Sequence, residues 1–197
     1  MNGNHKKGQT TKSGPMDWDK LMGLVRKLEK DENYLLASYI TLSMFLGLRV
    51  SDIRSIRYSQ IIGQTKILIT EKKTGKVRDI DLNPEVVEKI TKYYAIMERA
   101  NPDGFVLESS RSKGQSVQVS FLNKALKLAN MSYGLKHSNF TTHTLRRSFG
   151  KKVYETYGKS EHSLVLLSKV FSHSSVSITR EYIGLEKEAI SNVYLSL

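Results

Sequence analysis

The chain contains no cysteine, which excludes disulfide bonds and metal sites built from thiolates. It also lacks any apolar run of about 18 residues or more, so no segment has the pattern of a membrane-spanning helix. Neither a phosphate-binding G-x-x-x-x-G-K-S/T loop nor a strand-linked G-x-G-x-x-G turn is present, so ATP and dinucleotide cofactors have no support. The first residues carry no hydrophobic signal segment, which predicts an intracellular protein.

Acidic residues are few relative to basic ones. Lysine and arginine number 31 against 19 for aspartate and glutamate, which gives a formal net charge of +12 and a pI near 9.7. This excess predicts a polyanionic partner, and nucleic acid is the first candidate. The alternative is a generally basic protein with no such partner. A length of 197 residues with 39% hydrophobic content suits one domain with a single core.

The local patterns along the chain predict mainly helices. Residues 1–15, rich in Gly, Lys, Thr and Ser, are typical of a flexible arm. Asp17 is a predicted N-cap for a helix with leucines at helical spacing, and residues 32–46 predict a mostly apolar helix that ends at Gly47. Residues 16–197 are therefore expected to fold as one domain.

A small sheet is predicted between the helices. The runs 66–70 and 77–82 flank a basic turn region, which indicates a β-hairpin, and residues 105–107 are a candidate third strand. Because strands and helices do not alternate, the pattern argues against a doubly wound nucleotide-binding fold. The predicted fold class is mainly α with a small antiparallel β-sheet (α+β).

The segment from Thr141 to Phe149 has features that suit a phosphate ligand. Thr141 and Thr142 are good N-cap residues, and a helix starting there places His143 and Arg146 on one face of its first turns. Free N–H groups and the helix dipole at this end also favour an anion. The alternative is that His143 and Arg146 are ordinary helix residues, one partly buried and one solvated.

Four stretches together carry a specific resemblance. They are 47–53 (GLRVSDI), 73–75 (KTG), 143–149 (HTLRRSF) and 172–175 (SHSS) continuing to Tyr182. In this order and spacing the chain resembles the catalytic domain of the tyrosine recombinases, the phage integrase family of site-specific DNA recombinases. The resemblance implies the catalytic-domain fold of that family. It also implies that DNA strands are cut and rejoined through a covalent 3′-phosphotyrosine.

The resemblance assigns the central chemistry to three residues. It implies that Tyr182 is the nucleophile and that Arg49 and Arg146 bind the non-bridging oxygens of the scissile phosphate. The residue types suit this task, since guanidinium groups stay charged and bind phosphate in a bidentate manner. A tyrosine with an ordinary pKa of about 10 needs cations nearby to attack at neutral pH. The alternative is that neither residue is catalytic: Arg49 would be a solvated residue after a turn, and Tyr182 a half-buried helix residue.

Four further residues complete the implied site. Lys73 would be the general acid for the leaving 5′-oxygen, and His143 and His173 would assist proton transfer and bind phosphoryl oxygens. Asp52 would orient the site from one helical turn beyond Arg49. The resemblance implies no metal and no other cofactor. The alternatives are a solubilising hairpin charge for Lys73, a loop hydrogen bond for His173 and a helix N-cap for Asp52.

The implied partner is double-stranded DNA, bound by a homo-tetramer that is a monomer when free. The bacterial cytoplasm or nucleoid is the expected location, with no membrane and no small-molecule substrate. An apolar tail of Ile190, Val193, Leu195 and Leu197 is expected to dock either on a neighbouring subunit or on its own domain. Contacts with DNA phosphates are predicted for six basic residues, namely Arg54, Arg57, Lys76, Arg78, Arg147 and Lys151.

The chain departs from the family pattern in two ways. Ser172 stands where the family usually has Gly, so the loop before His173 is expected to differ in shape. Nothing before Asp17 can form the N-terminal core-binding domain with which most members close around DNA. The expectation is therefore either a fragment or a short recombinase that resembles the invertases of fimbrial promoters.

Three other functions stay open from the sequence. A DNA-binding regulator that has lost the chemistry would share the fold, and a type IB topoisomerase would share the covalent intermediate. A metal-free ribonuclease would use two histidines and a lysine for acid-base attack on RNA. Such a ribonuclease would not need Tyr182.

Overall fold

The structure is a computed structural model that describes residues 13–196, without the side chains of residues 187 and 188. Within this range, no helix is long and apolar enough to cross a bilayer. The secondary-structure elements in chain order are α1 (Trp18–Lys30), α2 (Tyr34–Leu46), α3 (Val50–Ile53), a 3₁₀ turn (Tyr58–Gln60), β1 (Lys66–Thr70), β2 (Val77–Asp81), α4 (Pro84–Ile96), α5 (Val119–Ser132), α6 (Thr142–Thr156), α7 (Glu161–Phe171), α8 (Val176–Ile183) and α9 (Leu185–Leu195).

The predicted start of α1 at Asp17 and the predicted end of α2 at Gly47 are both present in the structure. The Asp17 side chain accepts a hydrogen bond from the backbone N–H of Lys20, and α1 buries its leucine stripe against α2. Helix α2 is buried on most sides and is the central helix of the core. Gly47 closes it in the left-handed conformation, with φ of 57°. These predictions are confirmed, except that α2 begins at Tyr34, after its N-cap Asn33, and not at residue 32.

The sheet has two antiparallel strands, β1 and β2, which pair Lys66 with Asp81 and Thr70 with Val77. The predicted third strand at 105–107 is wrong. Phe105 forms only an isolated bridge with Arg57, and Val106 and Leu107 are buried in the core. Their apolar character therefore reflects core packing of an irregular segment rather than a place in the sheet.

A second, smaller core lies between α6, α7 and α8. It contains Leu164, Leu167, Phe171 and Ile183, and Tyr182 packs against it. Gly150 on α6 permits the close approach, because a Cβ there would lie 2.7 Å from Ile183 Cγ2. This packing brings α8 to the N-terminal end of α6.

The packed part of the chain begins at least as early as Ser13. The Ser13 hydroxyl is buried and lies 3.0 Å from Thr144 Oγ1, and the backbone N–H of Met16 donates to Ser148 Oγ at 2.7 Å. The end of the predicted arm at 13–15 therefore lies against α6. Residues 1–12 of that arm are outside the described residues.

Candidate active site

One cavity of about 470 Å³ contains the whole predicted catalytic set. It lies where the start of α3, the turn between β1 and β2, the start of α6 and the α7–α8 loop meet. Segments more than 130 residues apart in the chain, from residue 49 to residue 182, therefore contribute to one surface. The predicted residues that line it are Arg49, Lys73, His143, Arg146, His173 and Tyr182.

The two arginines converge on one backbone carbonyl. Nη2 of Arg49 and Nη2 of Arg146 each donate to the carbonyl oxygen of Phe171, both at 3.2 Å. Arg146 is buried, and its guanidinium carbon lies 4.7 Å from the centroid of the Phe171 ring. Burial lowers the pKa of Arg146 to about 10, which leaves it charged at neutral pH. Its buried Nε has no hydrogen-bond partner in residues 13–196.

Asp52 supports the turn that carries Lys73. Its side chain is fully buried, and Oδ1 accepts from the backbone N–H of Lys72 at 3.0 Å. Arg49, not Asp52, is the N-cap residue of α3, so the alternative of a capping role for Asp52 is wrong. Lys73 itself is exposed on the turn and lines the cavity.

The two histidines are both held in the neutral form at neutral pH. Loss of solvent around the ring, followed by the charges of Arg147 and Arg146, lowers the pKa of His143. Burial and then the charges of Arg146 and Arg49 lower the pKa of His173 to about 4. Neutral imidazoles are able both to accept and to donate a proton.

The hydroxyl-bearing ring of Tyr182 lies in the cavity wall, half-buried rather than enclosed in the interior. Its ring meets Phe171 edge-on at a centroid distance of 5.3 Å. The guanidinium carbon of Arg147 lies 4.8 Å from the Tyr182 centroid, and that of Arg146 lies 5.9 Å away. Burial raises the pKa of Tyr182, although the charges of Arg146, Arg147 and Arg49 act in the opposite direction.

The departure at Ser172 changes the side chain but keeps a glycine-like backbone. Ser172 has φ of 51° and ψ of 44°, the left-handed conformation that Gly adopts without strain. It ends α7 and is followed directly by His173, whose Nδ1 lies 3.0 Å from Thr179 Oγ1. The serine hydroxyl accepts from Arg78 Nη2 at 2.8 Å. The backbone at Ser172 therefore has the conformation for which Gly is the usual residue.

The six predicted DNA contacts are not equivalent in the structure. Arg54 donates to the carbonyl of Val117, and Arg57 donates to the carbonyl of Asp103 and lies over the Phe105 ring at 4.5 Å. Lys76 is exposed on the turn beside Lys73, and Lys151 is partly exposed on α6. Two others adjoin the cavity, namely Arg147 beside Tyr182 and Arg78 beside Ser172.

Sequence reasoning missed Glu71, which is 2% exposed and accepts from Arg49 Nη1 at 2.8 Å. No motif points to this residue, because its partners come from other elements. Its position two residues before Lys73 was the only available signal. Residues 13–196 contain no group of three or more His, Cys, Asp or Glu side chains that could hold a metal ion.

The amino-acid sequence is similar to those of known proteins. The family model described as "Phage integrase family" matches residues 15–189. The "Probable integrase/recombinase YoeC" of Bacillus subtilis (strain 168) is 28% identical over 148 residues, which cover 75% of this chain and 76% of the relative.

Two solved structures have similar folds. XerA recombinase superposes with a TM-score of 0.70 at 17% identity, covering 99% of this chain and 66% of that one. A lambda integrase tetramer bound to a Holliday junction gives 0.64 at 17% identity, covering 92% of this chain. The chain spans only 52% of the lambda integrase chain.

Proposed function

Because the chain belongs to the phage integrase family, we propose that it is a site-specific DNA recombinase that cuts and rejoins strands through a 3′-phosphotyrosine. The observation that carries this proposal is the convergence of two arginines, a lysine, two histidines and a tyrosine on one cavity. These groups can bind a phosphodiester, attack it and protonate the leaving oxygen. The proposed substrate is double-stranded DNA.

In the first step, the Tyr182 hydroxyl attacks the scissile phosphorus and loses its proton, and the P–O5′ bond breaks. Negative charge builds on the non-bridging oxygens, where Arg49 and Arg146 would bind them. Removing one such donor should slow the step by about a hundredfold or more.

Lys73 gives a proton to the leaving 5′-oxygen, so that a 5′-hydroxyl and a 3′-phosphotyrosine result. His143 and His173, both neutral at pH 7, would accept and pass on the proton of the tyrosine. In the second step a 5′-hydroxyl attacks the phosphotyrosine and the same bonds form and break in reverse. The bond energy is kept in the covalent intermediate, so the cycle needs no ATP.

We also propose that the chain assembles as a tetramer on DNA. Helix α9 leaves Ile190, Val193, Tyr194 and Leu195 from 60% to 81% exposed, which favours docking on a neighbouring subunit over packing on its own domain. Leu197 lies outside the described residues. A double change of Val193 and Leu195 to Ser should abolish cooperative binding to DNA, whereas Ile96→Ser, at an exposed position on α4, should not. Equal cooperativity in both would contradict the docking.

The central test is capture of the covalent intermediate. Wild type, Tyr182→Phe and the control Tyr157→Phe, which changes an exposed tyrosine outside the cavity, are incubated with fragmented bacterial DNA, and denaturation-resistant adducts are recovered and sequenced. Wild type and Tyr157→Phe should give adducts at one recurring sequence, and Tyr182→Phe should give none. Adducts at unrelated sequences would favour a topoisomerase. DNA binding without adducts would favour an inactive regulator.

A further inference from the structure

Glu71 connects the two sides of the cavity through its carboxylate. It follows β1 directly, and its side chain is 2% exposed. Oε2 accepts from Arg49 Nη1 at 2.8 Å and from the Thr74 hydroxyl at 2.7 Å. Oε1 pairs with Arg78 Nε at 2.6 Å. One buried carboxylate is therefore bonded to α3, to the hairpin turn and to β2.

The backbone of Glu71 closes the turn that carries Lys73. Its N–H donates to the carbonyl of Lys76 at 2.9 Å, and its carbonyl accepts from the N–H of Gly75 at 2.8 Å. Both backbone groups and both carboxylate oxygens are thus engaged. The side chain has little freedom to leave Arg49.

Arg78 extends the same network to the loop before His173. Its Nη2 donates to Ser172 Oγ at 2.8 Å and to the carbonyl of Lys169 at 3.3 Å. The Arg78 side chain is only 17% exposed. It bridges the hairpin and the end of α7, so its guanidinium is already occupied inside the protein.

A buried carboxylate is costly unless cations and hydrogen bonds compensate it. Burial by itself would raise the pKa of Glu71, but the hydrogen bonds from Thr74 and Arg49 and the charges of Arg78 and Arg49 outweigh that effect. The net pKa is lowered, and the carboxylate is ionised at neutral pH. The arginine that is proposed to bind phosphate is therefore oriented before any DNA arrives.

We propose that Glu71 is a positioning residue for the strand-cutting reaction. It holds Arg49 in the orientation that binds the scissile phosphate, and through Arg78 and Ser172 it sets the loop that presents His173. This inference rests on the recombinase function proposed above. It also gives Arg78 a role within the protein in place of the predicted contact with DNA.

The test compares Glu71→Gln with the control Glu29→Gln. Glu29 is another partly buried carboxylate, paired with Lys89 at 2.9 Å and with Tyr93 but remote from the cavity lining. With saturating duplex DNA recovered from the adduct capture, Glu71→Gln should form adducts about 10- to 100-fold more slowly, since it misplaces a phosphate-binding group. Its affinity for the same duplex should be close to wild type. Glu29→Gln should react at the wild-type rate.

A second readout does not depend on activity. In protein with ¹⁵N-labelled arginine, NMR should show restricted rotation of the Arg49 and Arg78 guanidinium groups in wild type and Glu29→Gln. Rotation should be faster in Glu71→Gln, where, among the described residues, only the bonds of Arg49 to Phe171 and of Arg78 to Lys169 and Ser172 remain. If Glu71→Gln does not fold, Arg78→Lys is tested in its place. This change keeps the positive charge but replaces a planar guanidinium with several N–H donors by a single ammonium group. It should slow adduct formation about tenfold.

Unchanged Arg49 rotation, or a wild-type adduct rate in the folded variant, would overturn the inference. The inference is also overturned if Glu71→Gln and Glu29→Gln lose the same fraction of the adduct-formation rate. Such a result would reflect general destabilisation of the protein. If the wild-type chain itself forms no adduct, the recombinase proposal fails, and this inference fails with it. That outcome is recognisable because it affects the parent protein and not only the variants.

Discussion

The rings of His173 and Tyr182 meet edge to face, with centroids 5.2 Å apart and planes inclined by 75°. The proposed nucleophile is thus in contact with one of its proposed proton-transfer partners. Phe171 packs against both rings, at 5.3 Å from each. This cluster of three rings orients Tyr182 at the cavity before DNA binds. The same packing partly buries the Tyr182 ring.

The rate of adduct formation should therefore depend on pH. Burial raises the pKa of Tyr182, so the phenol is protonated at neutral pH and its loss of a proton becomes easier as pH rises. Single-turnover adduct formation should increase from pH 6 to pH 9. Arg147→Gln removes a charge that lowers this pKa, so its profile should shift to higher pH. The control Lys152→Gln, an exposed lysine on α6, should not shift it. A rate independent of pH would contradict this account.

Acid should destabilise the folded protein through His173. Its pKa of about 4 in the folded state lies below the ordinary value of 6.5, so between these values the unfolded chain binds more protons. The free energy of unfolding should therefore be fully retained above pH 6.5 and should fall as pH drops toward 4. Urea denaturation at pH 7 and pH 5 measures the loss.

Matched glutamine variants identify the group responsible for that loss. His173→Gln should reduce the difference in unfolding free energy between the two pH values. His162→Gln, at an exposed position on α7, should leave the difference as in wild type. The residual difference in His173→Gln is expected to come in part from His143, whose pKa is lowered as well. An unreduced difference in His173→Gln would exclude His173 as its source.

The sequence alone predicted the parts of the molecule that depend on local pattern. Leucine spacing and the Asp17 cap predicted α1, and the threonines at 141 and 142 placed His143 and Arg146 at the start of α6. The resemblance supplied the catalytic set, whose members the structure brings to one cavity.

Contacts between distant elements could not be predicted in the same way. Glu71 lies 22 residues from Arg49, and Arg78 lies 94 residues from Ser172. Nothing in the spacing of such residues indicates that they meet. An apolar run such as 105–107 also satisfies the pattern of a strand and that of a buried loop equally well, so the third strand was predicted where none exists.

Gly47 should tolerate alanine poorly. Its φ is 57°, and a Cβ there would lie 2.3 Å from Cδ1 of Phe149. The left-handed conformation and the clash together should lower the free energy of unfolding by about 2 to 5 kcal/mol. Gly63 is the matched control, with φ of 70° and no atom within 4 Å, so Gly63→Ala should cost only about 1 to 2 kcal/mol. Urea denaturation of both variants measures the difference, and equal losses would show that Phe149 can move aside.

The salt dependence of DNA binding should distinguish basic residues that face DNA from those engaged within the protein. If six to eight phosphates are contacted, log K should fall with log salt at a slope of about −5 to −7. Lys76→Gln should make that slope shallower by about 0.9, because Lys76 is an exposed lysine at the end of the turn that carries Lys73. Fluorescence anisotropy with one duplex over a range of salt concentrations gives both slopes.

Arg57→Gln is the matched control for that measurement. Arg57 is also exposed, but its guanidinium lies over the Phe105 ring and donates to the carbonyl of Asp103. We therefore expect its loss to leave the slope unchanged, although the sequence placed it among the DNA contacts. A shallower slope for Arg57→Gln would show that Arg57 does contact a DNA phosphate. A wild-type slope near −1 would contradict a phosphate-binding face altogether, because it corresponds to about one contact.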